Sequence, residues 1–100
     1  TIIKNRGNLG DYTSPWEGLA FIDVQQELQF AEPYKVELYG MIEQLSESDL
    51  TNIIIDRKEV NQVKQLGDYL NRMVYHEAVH TGQLLSYLRT LDIERPKIWD

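Results

Sequence analysis

The chain has no cysteine among its 100 residues, which removes a disulfide framework, a thiol nucleophile and any cysteine-based zinc site. Any metal must therefore be held by histidine, aspartate or glutamate, and there are only two histidines. A basic field is also missing. Ten Lys and Arg stand against 16 Asp and Glu, giving a formal charge of -6 and a pI near 4.8, and the cations are scattered along the chain, so nucleic acid is not an expected partner. No apolar run approaches the ~18 residues of a membrane span, and the opening "TIIKNRGNLGDYTSPWEG" lacks the basic-then-apolar order of a signal peptide. A soluble, cytoplasmic protein is the expectation. No internal repeat or low-complexity tract occurs, and the length suits one small domain with a modest core.

Residues 1–13 are rich in Asn, Gly and Asp without helical or strand period, and read as an irregular lead-in to a domain spanning residues 14–100. "SPWE", Ser14 to Glu17, has a hydroxyl cap, Pro at the first helical position and Glu three residues after the cap, which is a helix-start signal. Gly18 weakens that first turn, so well-formed helix is expected from about Ile22. Leu19, Ile22, Leu28 and Ala31 supply part of an apolar face, and Tyr34, Leu38, Met41, Ile42 and Leu45 continue it beyond Pro33, where a kink or restart is predicted. "SESD" ends the helix. "NIIID" followed by "EVNQV" reads as a connector, with the β-branched residues of a rudimentary hairpin. From Leu66 to Leu91 a second long helix is predicted, closed by Asp92 and kept from resuming by Pro96. The fold class expected is all-α: two long helices and a short connector.

The second helix carries both histidines in "HEAVH", His76 to His80. Each residue advances a helix by about 100°, so with His76 at zero, His80 lies at about 40°, Tyr69 and Tyr87 at about 20° and Gln83 at about -20°. Leu66, Met73, Leu84 and Leu91 fall at about 60° to 80°, which puts the imidazoles at the edge of the apolar stripe. Two imidazoles one turn apart on one face can reach the same divalent ion, the physical reason metal sites use this spacing. The plainer reading is two histidines that hydrogen-bond or pack at a core margin. Glu77 falls at about 100°, near the middle of the stripe, where a carboxylate needs protonation, an ionic partner, a path to solvent or a nearby metal or histidine. It is a candidate catalytic residue. Gly82 omits a side chain at a helix cost of ~1 kcal/mol, which suggests close approach of another helix. Gln83 and Tyr87 are candidates to orient a ligand or a metal-bound water from behind, against the alternative of a solvated amide and a core-margin aromatic.

"HEAVH" matches the zincin pattern of two ligands and a general base. Its continuation does not: Gln83 and Ser86 stand where the metzincin pattern continues, and Asp92 and Glu94 come only after the helix ends. The longer stretch "YHEAVHTGQLLSYLRTLDIERP", Tyr75 to Pro96, carries a His pair, Gly82, Gln83, Leu88, Arg89, Ile93 and Pro96. In that order these residues resemble the last helix of the DinB/YfiT-like metalloenzyme family, with "LGDYLNRMV" as the start of that helix and "LYGMIEQLSESDL" as the end of the preceding one.

The resemblance implies the C-terminal part of a DinB-like helical bundle, usually of four helices, with a divalent metal held by three histidines. Two of those ligands fall on His76 and His80. The third, which the family carries on an earlier helix, has no counterpart among the residues of this chain. A chain that starts at Thr1 and has two long helices reads as part of a longer protein, and its exposed stripes as a homodimer interface. The ion is zinc, nickel or iron, since imidazole suits all of them. The family also implies a metal-dependent transferase joining a low-molecular-weight thiol to an electrophile, or a hydrolase. A helical dimerisation module whose metal site is incomplete or vestigial is the non-enzymatic alternative.

Overall fold

The computed structural model describes residues 1–98, and the chain divides into two compact units, Thr1–Leu66 and Gly67–Asp100. The element order is α1 (Val24–Glu43), α2 (Asp49–Asn52), β1 (Ile54–Arg57), a 3-10 turn (Lys58–Val60), β2 (Gln62–Gln65) and α3 (Leu66–Thr90). This corrects the all-α expectation. The fold is mixed, with an antiparallel two-stranded sheet between the long helices in the chain.

The hairpin accounts for the difference. Ile53, Ile54 and Ile55 are β-branched, lose rotamer freedom in a helix and suit a pleated surface. Strand alternation sends Ile55 inward, 1% exposed, and Ile54 outward at 45%. The register runs Ile54↔Gln65, Ile55↔Lys64, Asp56↔Val63 and Arg57↔Gln62. Asn61, with φ 51°, takes the left-handed position that Asn tolerates, and the Arg57 Nε–H donates to Glu59 Oε1 at 2.6 Å across the turn. At the open end the Leu66 N–H donates to the Ile53 carbonyl at 2.8 Å, and Leu66 is fully buried.

The lead-in forms turns, and it also belongs to this core. Ile3 is buried, and the Asp56 N–H donates to the Arg6 carbonyl at 2.9 Å, so the segment lies along β1. Gly7, at φ +97°, lies so close to that strand that a Cβ would collide with the Asp56 carbonyl. Only glycine satisfies both the conformation and the space.

α1 starts later than the cap signal at Ser14. There the Trp16 N–H donates to the Ser14 Oγ at 3.3 Å and the Glu17 N–H to the Ser14 carbonyl at 2.9 Å, but the left-handed Gly18 stops the turn. The working cap is Asp23, whose Oδ1 accepts from the Gln26 N–H at 2.8 Å. The abortive turn keeps a use: Trp16 packs edge-on to Phe30 at 4.9 Å and donates its Nε1–H to Glu27 at 2.9 Å, pinning the loop to α1. The helix then runs through Pro33 as one element. No residue of α1 is buried, although Leu28, Tyr34 and Ile42 hold the predicted apolar positions. Beyond its end, Ser46 and Asp49 cap one another: the Ser46 hydroxyl and amide donate to Asp49 Oδ2 at 2.7 and 2.8 Å.

The second unit consists of the rest of α3 and its tail. The predicted stop is present: Asp92 adopts φ 55°, and the Ile93 N–H donates to the Leu88 carbonyl at 2.9 Å, satisfying an orphan carbonyl. No helix among the described residues is long and apolar enough to cross a membrane.

Candidate metal centre

α3 is unbroken from Leu66 to Thr90, so the residues of the histidine strip are set by helical geometry alone. His76 and His80 are both exposed and face each other edge-on, with ring centroids 4.5 Å apart and an interplanar angle of 77°. Their Nε2 atoms are 3.0 Å apart. Two imidazole nitrogens on one ion, at bonds of about 2.0–2.1 Å and angles of about 90–109°, are separated by about 2.9–3.4 Å. The separation of the two nitrogens thus falls within the range for ligands of one ion.

The tautomers follow from the neighbours. Gln83 Oε1 lies 2.8 Å from His80 Nδ1, and an amide oxygen can only accept, so Nδ1 carries the proton. The His80 lone pair then sits on Nε2, pointing at His76, whose Nε2–H donates to it. To act as a ligand, His76 would have to carry its proton on Nδ1 instead, freeing both Nε2 lone pairs. Of the two neighbours that the sequence allows Gln83 one turn away, the structure selects His80; Tyr87 is 63% exposed. Gln83 thus stands where a metal-binding imidazole usually finds the partner that fixes its ring.

Of the ways open to a carboxylate on that face, Glu77 takes the path to solvent. It is exposed, and the His80 ring is engaged by Gln83 and His76. The stripe beside it is exposed as well, with Leu84, Tyr87 and Leu91 at 58%, 63% and 67%. Its carbonyl accepts from the Thr81 hydroxyl at 2.9 Å, an ordinary bond within the helix. Gly82 likewise has open space, with nothing within 4 Å of a built Cβ. Tyr69, at the start of the strip, is buried at 6%.

The donor set stops at two. Among the described residues, no group of three or more His, Asp or Glu is placed to hold an ion. The second unit also has a hollow of about 630 Å³ lined by Leu85, Arg89, Ile93, Arg95, Pro96 and Lys97 among others. Leu85 lies about 180° around α3 from His76, so the hollow and the imidazole pair are on opposite faces. Comparisons with family models, curated proteins and solved structures find no significant match for this chain.

Proposed function

We propose that the chain binds a divalent metal through His76 and His80, with Gln83 holding His80 in the required tautomer, and that this site belongs to DinB-like chemistry on a small molecule. The observation that carries the reading is the 3.0 Å convergence of the two Nε2 atoms together with the 2.8 Å contact from Gln83 to His80 Nδ1. An edge-on pair that only packed has no need of a partner fixing the far nitrogen of one ring. Zinc, nickel and iron all suit the donors.

A bound ion would lower the pKa of a thiol, which is the contribution an S-transfer to an electrophile requires. The chain's own part is to present two neutral imidazoles on one rigid helix. Glu77, exposed one residue from His76, is free to take a proton from an incoming thiol.

The test is the metal content of the purified chain by elemental mass spectrometry, beside the His76→Ala, His80→Ala double variant. Metal bound by the native chain and lost in the variant is the expected result. Equal metal in both, or none in the native chain after reconstitution, overturns the reading and leaves a helical interaction module.

A further inference from the structure

We infer that the hollow in the second unit is a binding site for a small organic carboxylate with an apolar body. The inference is independent of the metal reading, since the hollow lies on the face of α3 away from the imidazoles. One reversal of the backbone makes both of its walls. Asp92, at φ 55°, turns the chain back at the end of α3, so that Leu85 and Arg89 of the helix and residues 92–97 of the tail enclose about 630 Å³. That volume is within the range of about 300–1,000 Å³ usual for small-molecule pockets. Leu85, buried at 8%, supplies an apolar lining together with Ile93 and Pro96.

The charge of the lining selects the head group. Arg89, Arg95 and Lys97 border the hollow together with Asp92 and Glu94. Three cations against two carboxylates leave one positive charge, in a chain whose formal charge is -6. One carboxylate neutralises it, whereas a phosphate monoester, with close to two charges, would leave an excess of negative charge beside Asp92 and Glu94. The cations are not used up on the helix end. The carbonyls of Tyr87, Leu88 and Arg89 accept from the N–H groups of Leu91, Ile93 and Asp92 at 3.1, 2.9 and 3.1 Å. The ion pairs among the described residues lie in the first unit, at Lys4–Glu37, Lys35–Glu32 and Arg57–Glu59. A guanidinium fork receives a carboxylate through two parallel N–H bonds, which makes Arg89 and Arg95 the anchors and Lys97 a supporting point charge. All three reach solvent, so their attraction is screened and the apolar lining has to contribute as well.

An amide nuclear magnetic resonance titration of the full chain with phenylacetate tests this, with a chelator present so that no metal carries the carboxylate. The expected result is saturable shifts confined to the amides of residues 85–97, weakened by added salt. Phenylacetamide, which keeps the ring and lacks the charge, should bind about tenfold more weakly. Arg89→Gln and Arg95→Gln, exposed positions whose fold the same spectra check, should each weaken phenylacetate by about tenfold and leave phenylacetamide unchanged. Lys58→Gln, which removes a cation from the first unit, should alter neither. Phenylacetamide binding as tightly as phenylacetate would show an apolar cleft without an anion site and overturn the proposal. Shifts spread over the exposed apolar residues of α1, phenyl phosphate binding more tightly than phenylacetate, or no saturation in the millimolar range overturn it too. None of these outcomes bears on the metal reading.

Discussion

Residues 53–66 and residues 74–91 are about equally apolar in sequence, and they differ in what holds their apolar residues in place. In the first stretch, Ile54, Val60 and Val63 face outward, but Ile55 and Leu66 are 1% and 0% exposed, and their backbones pair across the hairpin, Ile55 with Lys64 and Leu66 with Ile53. In the second, Leu85 is buried at 8%, but Val74, Tyr75, Val79, Leu84, Tyr87 and Leu91 are 41–71% exposed, and helical bonds alone set their positions. The hairpin is specified by what it buries, and the histidine helix by its own periodicity. The difference teaches where chemistry can be read: a site made of residues four apart on a helix needs no tertiary contact to be assembled, whereas its completion does.

The largest effect should come from breaking the buried side of this comparison. Ile55→Ala removes a fully enclosed side chain and is expected to cost about 2–5 kcal/mol in urea or thermal unfolding. Val79→Ala, at a position 41% exposed, is expected to change stability by less than about 1 kcal/mol, because Ala also favours helix. Equal losses at the two positions would show that α3 has a cover as complete as that of the hairpin.

A metal-affinity measurement sharpens the exposed side. Gln83→Ala leaves both ligands in place but frees the His80 ring and its tautomer, and zinc affinity by competition titration should fall about 10- to 100-fold, with helix content unchanged. An unchanged affinity would mean that the 2.8 Å contact to His80 Nδ1 is a surface pairing without consequence for the ion.

How much of this was legible follows the same division. The extent of α3, its stop at Asp92 and the proximity of His76, His80 and Gln83 are consequences of a 3.6-residue period, and the sequence carries that period openly. The hairpin was visible as β-branched runs, but its weight was not: the pairing of Ile55 with Lys64 and the docking of the lead-in through Arg6 and Gly7 depend on contacts that no local pattern encodes. At the start of α1 the local pattern does better: Ser14 opens a turn that a left-handed Gly18 ends, and the well-formed helix expected from about Ile22 begins at Val24 behind its cap Asp23. For Glu77 the angle on the wheel leaves protonation, an ionic partner and a path to solvent all open; angle gives a face, and only a neighbour makes that face a core.

Gly82 gives a smaller and signed test of whether anything crosses α3 on its other side. The glycine lies about 240° around the helix from His76 and has nothing within 4 Å of a built Cβ. Gly82→Ala should therefore stabilise the chain by about 0.5–1 kcal/mol in denaturant melts, with and without zinc. A loss of stability would point to a partner seated closely on that face, the packing role first suggested by a glycine in mid-helix.

The smallest effect concerns the Ser46 and Asp49 cap. The Ser46 hydroxyl, and then its amide, hold the Asp49 carboxyl below the usual carboxylate range. A carboxyl whose folded pKa lies below its unfolded one contributes stability that is fully present above the unfolded value and fades as pH falls through the folded one. Native chain and Asp49→Asn should therefore differ most near neutral pH and converge in acid. The gap is expected to be modest because half-buried Asp49 still reaches water, and Ser46→Ala should reproduce most of it by removing the first of the two donors. Urea melts of the three chains at several pH values between 3 and 7 decide it. A gap that stays constant over that range would mean that the asparagine changes α2 for a reason other than charge, and that the bonds from Ser46 do not depend on ionisation.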